Sequence, residues 1–436
     1  MKLPEKSRAK DDVLAQLGQA RAKDADWKGG RTFSLVYYAG DEVLSLLKAA
    51  SLEYFSENAL NPMAFPSLRR FETEVVSMAC SMVNAPDGCG SMTSGGTESI
   101  LMAVKTAREW GRAKGITTPE MVLPVTVHPA FEKAAAYFDV KPVHVPVDGG
   151  FRADLDAMKK AIGKNTILLV GSAPQYPQGV VDPIDRIAAM AQEHGLLCHV
   201  DACVGGFMLP WVEKLGYSVP RWDFRVPGVT SMSADIHKYG FAAKGASLVL
   251  YRTRELRRLQ FCAYGDWPGG LWASPTASGT RPGGPIAAAW AVMNYLGEEG
   301  YMRIAKQSLE TARAIMDGIR AIPGLRVLGE PHGSIFAFAP AEGSDVDAYV
   351  LADAMTARGW HVDRQQLPPS LHMMITPAHA PHVAELLSDL RAATTEVRGK
   401  PAIEGSAAMY GMMGTLPDRA QVKEFLIQFL DSLDAP

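Results

Sequence analysis

Ser231-Met232-Ser233-Ala234-Asp235-Ile236-His237-Lys238-Tyr239-Gly240 continues a short apolar run that begins at Val229, and a second apolar run, Ala246 to Tyr251, follows after small and glycine residues. The first run reads as a buried strand, so Lys238 stands where the chain leaves it. Packing explains that placement poorly, because lysine is almost never fully buried unless paired. An amine held in a site, ready to form a Schiff base with a carbonyl, explains it well. The plainer alternative is a surface lysine after a strand.

Outward from this stretch, from Gly88 to Tyr251, short apolar runs alternate with helical spacing. Met121–Val127, Val143–Val147, Thr166–Gly171, Leu196–Val200, Val229–Ser233 and Ala246–Tyr251 read as strands. Glu98–Lys114, Ala130–Phe138, Leu155–Ile162 and Ile184–His194 read as helices between them. Near-continuous apolar strands in βαβα alternation predict an α/β fold, a mostly parallel sheet covered by helices on both faces. Ligands of such sheets bind beyond the carboxyl ends of the strands.

Upstream, Met1 to Gly30 is polar and peripheral, with a helix over Val13–Ala25. Arg31 to Tyr38 is a short extended segment, Asp41–Tyr54 has helical spacing, and Asn58 to Pro66 is irregular, with two prolines. Leu68, Phe71, Val75, Met78 and Met82 restore a 3.6-residue period. Downstream, Trp267 to Gly284 reads as a Gly/Pro-rich loop, and Ile286–Leu296 and Tyr301–Ile319 as helices. From Gly324 a smaller α+β unit follows, with strands Ser334–Phe338 and His372–Thr376 and helices Val346–Arg358 and His382–Val397. A Gly/Met-rich segment, Met409–Thr415, precedes a last helix, Gln421–Leu433. The expected division is an N-terminal segment 1–60, a large domain 61–300 and a small domain 301–436.

Composition excludes several classes. The 436 residues are 47% apolar and 21% charged, as in ordinary soluble proteins, and the net charge of -3 gives no reason to expect nucleic acid as a partner. Ten histidines include no H-x-x-x-H pair and none near a cysteine pair, so no metal site is expected. Five scattered cysteines without C-x-x-C read as reduced thiols in a cytoplasmic protein. Neither a secretory signal nor a transmembrane helix is expected.

Four further features fall near strand ends. Thr93-Ser94-Gly95-Gly96-Thr97-Glu98-Ser99 precedes a helix, whose free N–H groups and dipole suit an anion; the plainer reading is an N-cap with turn glycines. Asp201 ends the run Leu196–Val200 and could hold a cationic ring nitrogen, or simply cap a helix or pair with a base. His128 could stack on an aromatic ring, although a lone histidine is more often hydrogen-bonded structure. Lys244, Arg281, Tyr37 and Asn61 are loop residues able to bind an anion or merely be solvated, and Cys203 and Cys89 read as packing residues. An anion loop, a ring platform, an acid and a lysine in this order are the parts that pyridoxal 5'-phosphate (PLP) requires.

These segments, with His199-Val-Asp-Ala-Cys-Val-Gly-Gly-Phe207, Ala273-Ser-Pro-Thr276 and Gly279-Thr-Arg-Pro-Gly-Gly284, resemble the sphingosine-1-phosphate lyases, in the group II decarboxylase branch of fold-type I PLP enzymes. The likeness runs from about Arg31 to the C-terminus and implies a fold-type I PLP-dependent transferase-like architecture. It implies that Lys238 bonds the cofactor and Asp201 pairs with the pyridine nitrogen. By the same likeness His128 stacks on the ring, and Gly96, Thr97 and His237 hold the phosphate. Gly279 and Thr280 match a loop that in the family reaches the neighbouring subunit's cofactor, which implies a homodimer with sites at the interface. Tyr37 and Lys244 match residues near the substrate's phosphate and hydroxyl. Asn61 departs from the pattern: the family carries histidine between the leucine and proline, and asparagine cannot exchange a proton near neutral pH.

The implied reaction is retro-aldol cleavage of a phosphorylated long-chain base to a long-chain aldehyde and phosphoethanolamine. Lys238, Tyr37 or the substrate phosphate are the candidate bases for the C3 hydroxyl. The family's eukaryotic members carry a membrane anchor, which is not expected here, so a lipid substrate implies transient contact with a membrane surface. Two competing readings are an amino-acid decarboxylase on the same fold and a non-catalytic PLP-fold binding protein; intact Lys238, Asp201 and glycine loop argue against the second.

Overall fold

The computed structural model describes residues 2–400, 407, 413, 416 and 418–433. Seven strands build the main sheet: β1 (Cys89–Thr93), β2 (Glu120–Pro124), β3 (Lys141–Val145), β4 (Thr166–Ser172), β5 (Leu197–Asp201), β6 (Ser231–Ala234) and β7 (Ser247–Tyr251). Their order is β1-β7-β6-β5-β4-β2-β3. Strands β2 to β6 pair in parallel, whereas β7 is antiparallel to both neighbours. Strand β1 therefore runs with the parallel set, and the carboxyl ends of β1, β4, β5 and β6 open at one edge.

The period of two in a strand explains how both faces are covered. Leu248 and Leu250 of β7 face one core, with helices Pro66–Met82 and Ile184–Glu193, while Val249 and Tyr251 face a second core under helices Gly96–Ala113 and Ala130–Phe138. The fold is thus the expected α/β fold-type I architecture. Strand β1 was not foreseen, because Cys-Gly-Ser-Met-Thr is not an apolar run.

A hairpin, β8 (Cys262–Tyr264) with β9 (Trp272–Ser274), forms partly within the span read as loop. Beyond it, Gly283–Arg320 contains the two expected helices, parted at Gly297, where φ is 52°. It packs in the first core through Ile286 to Leu309 and in a third through Ala312 to Ile319. That third core lies against an antiparallel sheet of β10 (Leu325–Val327), β11 (Ile335–Pro340), β12 (Asp363–Gln366) and β13 (Pro369–Met374). Phe33 is buried in it too, and Thr32 bridges to His361, so the extended segment before Tyr37 is pinned to the small sheet. The last helix is Arg419–Leu433. The segment Met409–Thr415 lies outside the described residues except for residue 413.

Candidate active site

Strand β6 runs out at Ala234, and the chain turns back through Asp235 to Lys238, whose N–H donates to the Asp235 carbonyl at 3.3 Å. The turn sets Lys238 Nζ 3.0 Å from Asp235 Oδ2, and the aspartate is buried. Ser247 Oγ donates to Asp235 Oδ1. Burial favours the neutral form of each partner, and their opposite charges outweigh it. Lys238 is pushed well above the ordinary lysine value, and Asp235 is held below the ordinary carboxyl value, with His237 and Ser247 helping.

Beside them β5 ends with Asp201, in register between Ser172 and Ser233. Its Oδ1 accepts from Cys203 N–H at 3.1 Å and Ser233 Oγ at 3.2 Å. Its Oδ2 makes no hydrogen bond among the described residues.

Strand β1 ends at Thr93, and helix Gly96–Ala113 starts three residues on, leaving its first N–H groups free for an anion. Gly96 is demanded by close approach: a Cβ there would stand 2.8 Å from both Asp235 Oδ2 and Cys203 Sγ. His237 closes the other side, its Cε1 3.6 Å from where a Cβ on Gly95 would be, and its Nδ1 is buried without a partner. Glu98 takes Ser94 N–H and Oγ on one oxygen and Ala277 N–H on the other, which ties the loop leading to Gly279 to this helix.

Tyr37 meets Tyr239 edge-on at 4.9 Å, and Lys244 Nζ lies 5.5 Å from the Tyr37 ring centre. Burial lifts the Tyr37 phenol far above its ordinary value, against the pull of Lys238. Lys244 is exposed by area, yet burial of its stem and the charge of Lys238 hold its ammonium below the ordinary value. His128 Nδ1 accepts from Ala130 N–H at 3.1 Å, so it does serve structure; burial lowers its pKa while Asp201 opposes. Lys238, Asp201, Tyr37, His128, His237, Gly96, Thr97 and Lys244 thus gather at one sheet edge.

Asn61 does not join them in this chain; Gly279 and Thr280 follow the loop that Glu98 ties to helix Gly96–Ala113. Asn61 Oδ1 accepts from Met63 N–H at 2.9 Å, and the residue lines, with Arg281 and Trp272, a separate cavity of about 1410 Å³ that excludes Lys238. Three neighbours escaped the sequence reading. Asp235 stood three residues before Lys238 but was not weighed. Tyr176, just past β4, stacks on His372 at 4.2 Å and donates to Asp363 Oδ2 at 3.2 Å. The position of Tyr176 beyond a strand end was the same signal that singled out Asp201, whereas Asp363 arrives from the small sheet with no local signal.

PLP fits these residues. Its phosphate would meet the start of helix Gly96–Ala113 and the unpartnered His237 Nδ1, its ring nitrogen the buried Asp201, and its aldehyde Lys238.

Residues 25–339 match the pyridoxal-dependent decarboxylase conserved domain. The chain is 44% identical to a sphingosine-1-phosphate lyase of Arabidopsis thaliana, over 97% of this chain and 79% of that one. It is also 44% identical to sphingosine-1-phosphate lyase 1 of Rattus norvegicus, over 99% and 76%. The structure of a sphingosine-1-phosphate lyase from Burkholderia pseudomallei superposes with a TM-score of 0.92 at 38% identity, covering 100% of this chain and 97% of that one. A Lactobacillus brevis glutamate decarboxylase superposes at 0.80 with 20% identity, over 93% and 96%, a likeness of fold alone.

Proposed function

The chain belongs to the sphingosine-1-phosphate lyases of the pyridoxal-dependent decarboxylase family, and from that membership we propose that it cleaves the Cα–Cβ bond of a phosphorylated long-chain base. The products are a long-chain aldehyde and phosphoethanolamine. The observation that carries this reading is likeness to lyases over nearly the whole chain combined with half-buried Lys238 and buried Asp201 at adjacent strand ends.

In our reading Gly96, Thr97 and His237 hold the cofactor phosphate, Asp201 its ring nitrogen, His128 the ring face and Lys238 its aldehyde carbon. When bound, PLP supplies an electron sink for the pair released at Cα. The protein must then take the C3 hydroxyl proton and return one to Cα. Tyr37 is a poor base near neutral pH, because burial keeps its phenol protonated; its role is to hold or donate a proton. Lys238, likewise held protonated beside Asp235, suits the return of a proton to Cα, which leaves the substrate phosphate as the candidate to take the C3 hydroxyl proton. Lys244, at the mouth beside Tyr37, suits the substrate phosphate.

We also read the protein as a homodimer in which Asn61, Gly279 and Thr280 serve the neighbouring subunit's site. Support comes from hairpin β8–β9, where Tyr264, Trp267 and Leu271 are exposed beside the cavity that Asn61 lines. The five unpaired cysteines suit a cytoplasmic setting, and among the described residues no helix is long and apolar enough to cross a membrane.

The test is a product assay on sphingosine 1-phosphate beside a panel of amino acids. Aldehyde and phosphoethanolamine from the native protein, and neither from Lys238→Ala, are expected; carbon dioxide from an amino acid without aldehyde would replace this reading with a decarboxylase.

A further inference from the structure

His199 has no part in the chemistry above, yet it is fully buried two residues before Asp201. Its side chain points from β5 toward β6. Nδ1 lies 2.9 Å from Ser231 Oγ and Nε2 lies 3.3 Å from Ser233 Oγ, while Phe131 meets the ring edge-on at 6.0 Å. Ser233 Oγ in turn reaches Asp201 Oδ1 at 3.2 Å.

The direction of every bond in this row follows from one end. An ionised carboxylate only accepts, so Ser233 must donate to Asp201. Ser233 Oγ is then an acceptor for His199, which must carry its proton on Nε2. Nδ1 is left to accept from Ser231. Burial holds His199 down to about 4, so the ring is neutral and this single tautomer is available to it. The row therefore polarises Asp201 without cancelling its charge. Asp201 keeps Oδ2 free and its negative charge available for a cationic partner; the charged or titratable groups facing it are Lys238, His128 and Cys203.

We propose that Ser231, His199 and Ser233 form a positioning relay that fixes the Asp201 carboxylate and so sets how firmly the cofactor's ring nitrogen keeps its proton. The proposal rests on the PLP reading of the site. A cationic imidazole here would compete with the ring nitrogen for Asp201; a neutral one leaves the charge on the acid, and the hydroxyl it orients fixes where that carboxylate points.

The experiment uses the full-length protein loaded with PLP labelled with ¹⁵N in its ring, and reads the ring-nitrogen shift across pH together with the cofactor dissociation constant. Losing a hydrogen bond to a charged group is expected to weaken cofactor binding about tenfold and to move ring deprotonation down by about one pH unit. Ser233→Ala and His199→Phe should show both effects. Ser233→Thr and His199→Gln, which keep a donor in the row, should recover most of each. Unchanged shifts and affinity in Ser233→Ala, or equal losses in the conservative and severing variants, would overturn the relay. A measurement on the unmutated protein guards against variants that fail to fold: ¹⁵N-histidine spectra should show His199 neutral with its proton on Nε2, and a protonated ring or the other tautomer would overturn the proposal. An unmutated protein that binds no PLP would instead overturn the functional reading beneath it.

Discussion

Exchange of Asp235 for asparagine should change how fast the empty protein takes up PLP. Asn is nearly isosteric, so the perturbation is the loss of one charge 3.0 Å from Lys238 Nζ. At that separation and an effective dielectric of about 20, the attraction is about 5 kcal/mol, part of which offsets the desolvation of both groups. Removing one partner of a buried pair costs roughly 3–5 kcal/mol, which at 1.36 kcal/mol per pKa unit corresponds to lowering Lys238 by about two to four units. Only the free amine attacks an aldehyde. In the native protein Lys238 is held above its ordinary value, so uptake should accelerate close to tenfold per pH unit between about pH 7 and 9. The variant should load about a hundredfold or more faster at pH 7, with the same tenfold-per-unit dependence, because a fall of about two to four units from so high a value still leaves Lys238 mostly protonated over this range. Stopped-flow absorbance of the empty protein mixed with PLP across this range measures both. Loss of Asp235 also removes repulsion of the cofactor phosphate, a gain that pyridoxal lacking its phosphate would not share. An unchanged rate with phosphate-free pyridoxal therefore refutes the ion-pair argument even if PLP loads faster.

Gly96→Ala should release the cofactor, since the new Cβ would sit 2.8 Å from Asp235 and Cys203; bound PLP after gel filtration is the readout, and normal retention would remove Gly96 from the cradle. Asp182 gives a pH signature of stability. It is fully buried, with Ala153 and Ser172 N–H groups on its two oxygens at 2.8 Å each, and burial raises it to about 6. A carboxyl raised in the folded state contributes fully below its unfolded value and loses that contribution as pH rises through the folded value. Between about pH 3.9 and 6 the loss amounts to roughly 3 kcal/mol. The stability of the native protein relative to Asp182→Asn should therefore be greater at pH 4.5 than at pH 7 in urea titrations, and a difference independent of pH would contradict the burial argument.

What the sequence revealed of the fold follows from where side-chain pattern is strong. Strands β2 and β4 to β7 were found to within a few residues because they are buried and read as apolar runs, whereas β3, a largely exposed edge strand, was marked by its valines alone. Strand β1 was invisible because glycine and serine occupy its core positions: Gly90 sits so close to β7 that a Cβ would lie 2.6 Å from the Val249 carbonyl. The antiparallel direction of β7 could not be read, since residue pattern carries no strand direction. Strand β9 was taken for loop, and β8 had no reading, because each is three residues long and Trp267 to Gly284 is dense in glycine and proline.

The site divided along a different line. Residues that lie just past strands of the main sheet, such as Asp201 and Lys238, could be found because topology alone directs them to the carboxyl edge. Asp235 lay inside the stretch that drew attention to Lys238, but it acquires meaning only through the turn that brings its carboxylate back to Nζ, and a three-residue spacing in a loop does not specify that turn. Tyr37 was found through resemblance, although its placement depends on Thr32 and Phe33 anchoring the preceding segment to the small sheet. Asn61 marks the remaining limit of a single chain. Here it caps its own turn and faces a cavity away from Lys238, so asparagine in place of histidine matters to catalysis only if another subunit presents its site to that cavity. On the homodimer proposed above, a second subunit would supply Asn61, Gly279 and Thr280, whereas Lys238, Asp201, Tyr37 and Lys244 come together within one chain.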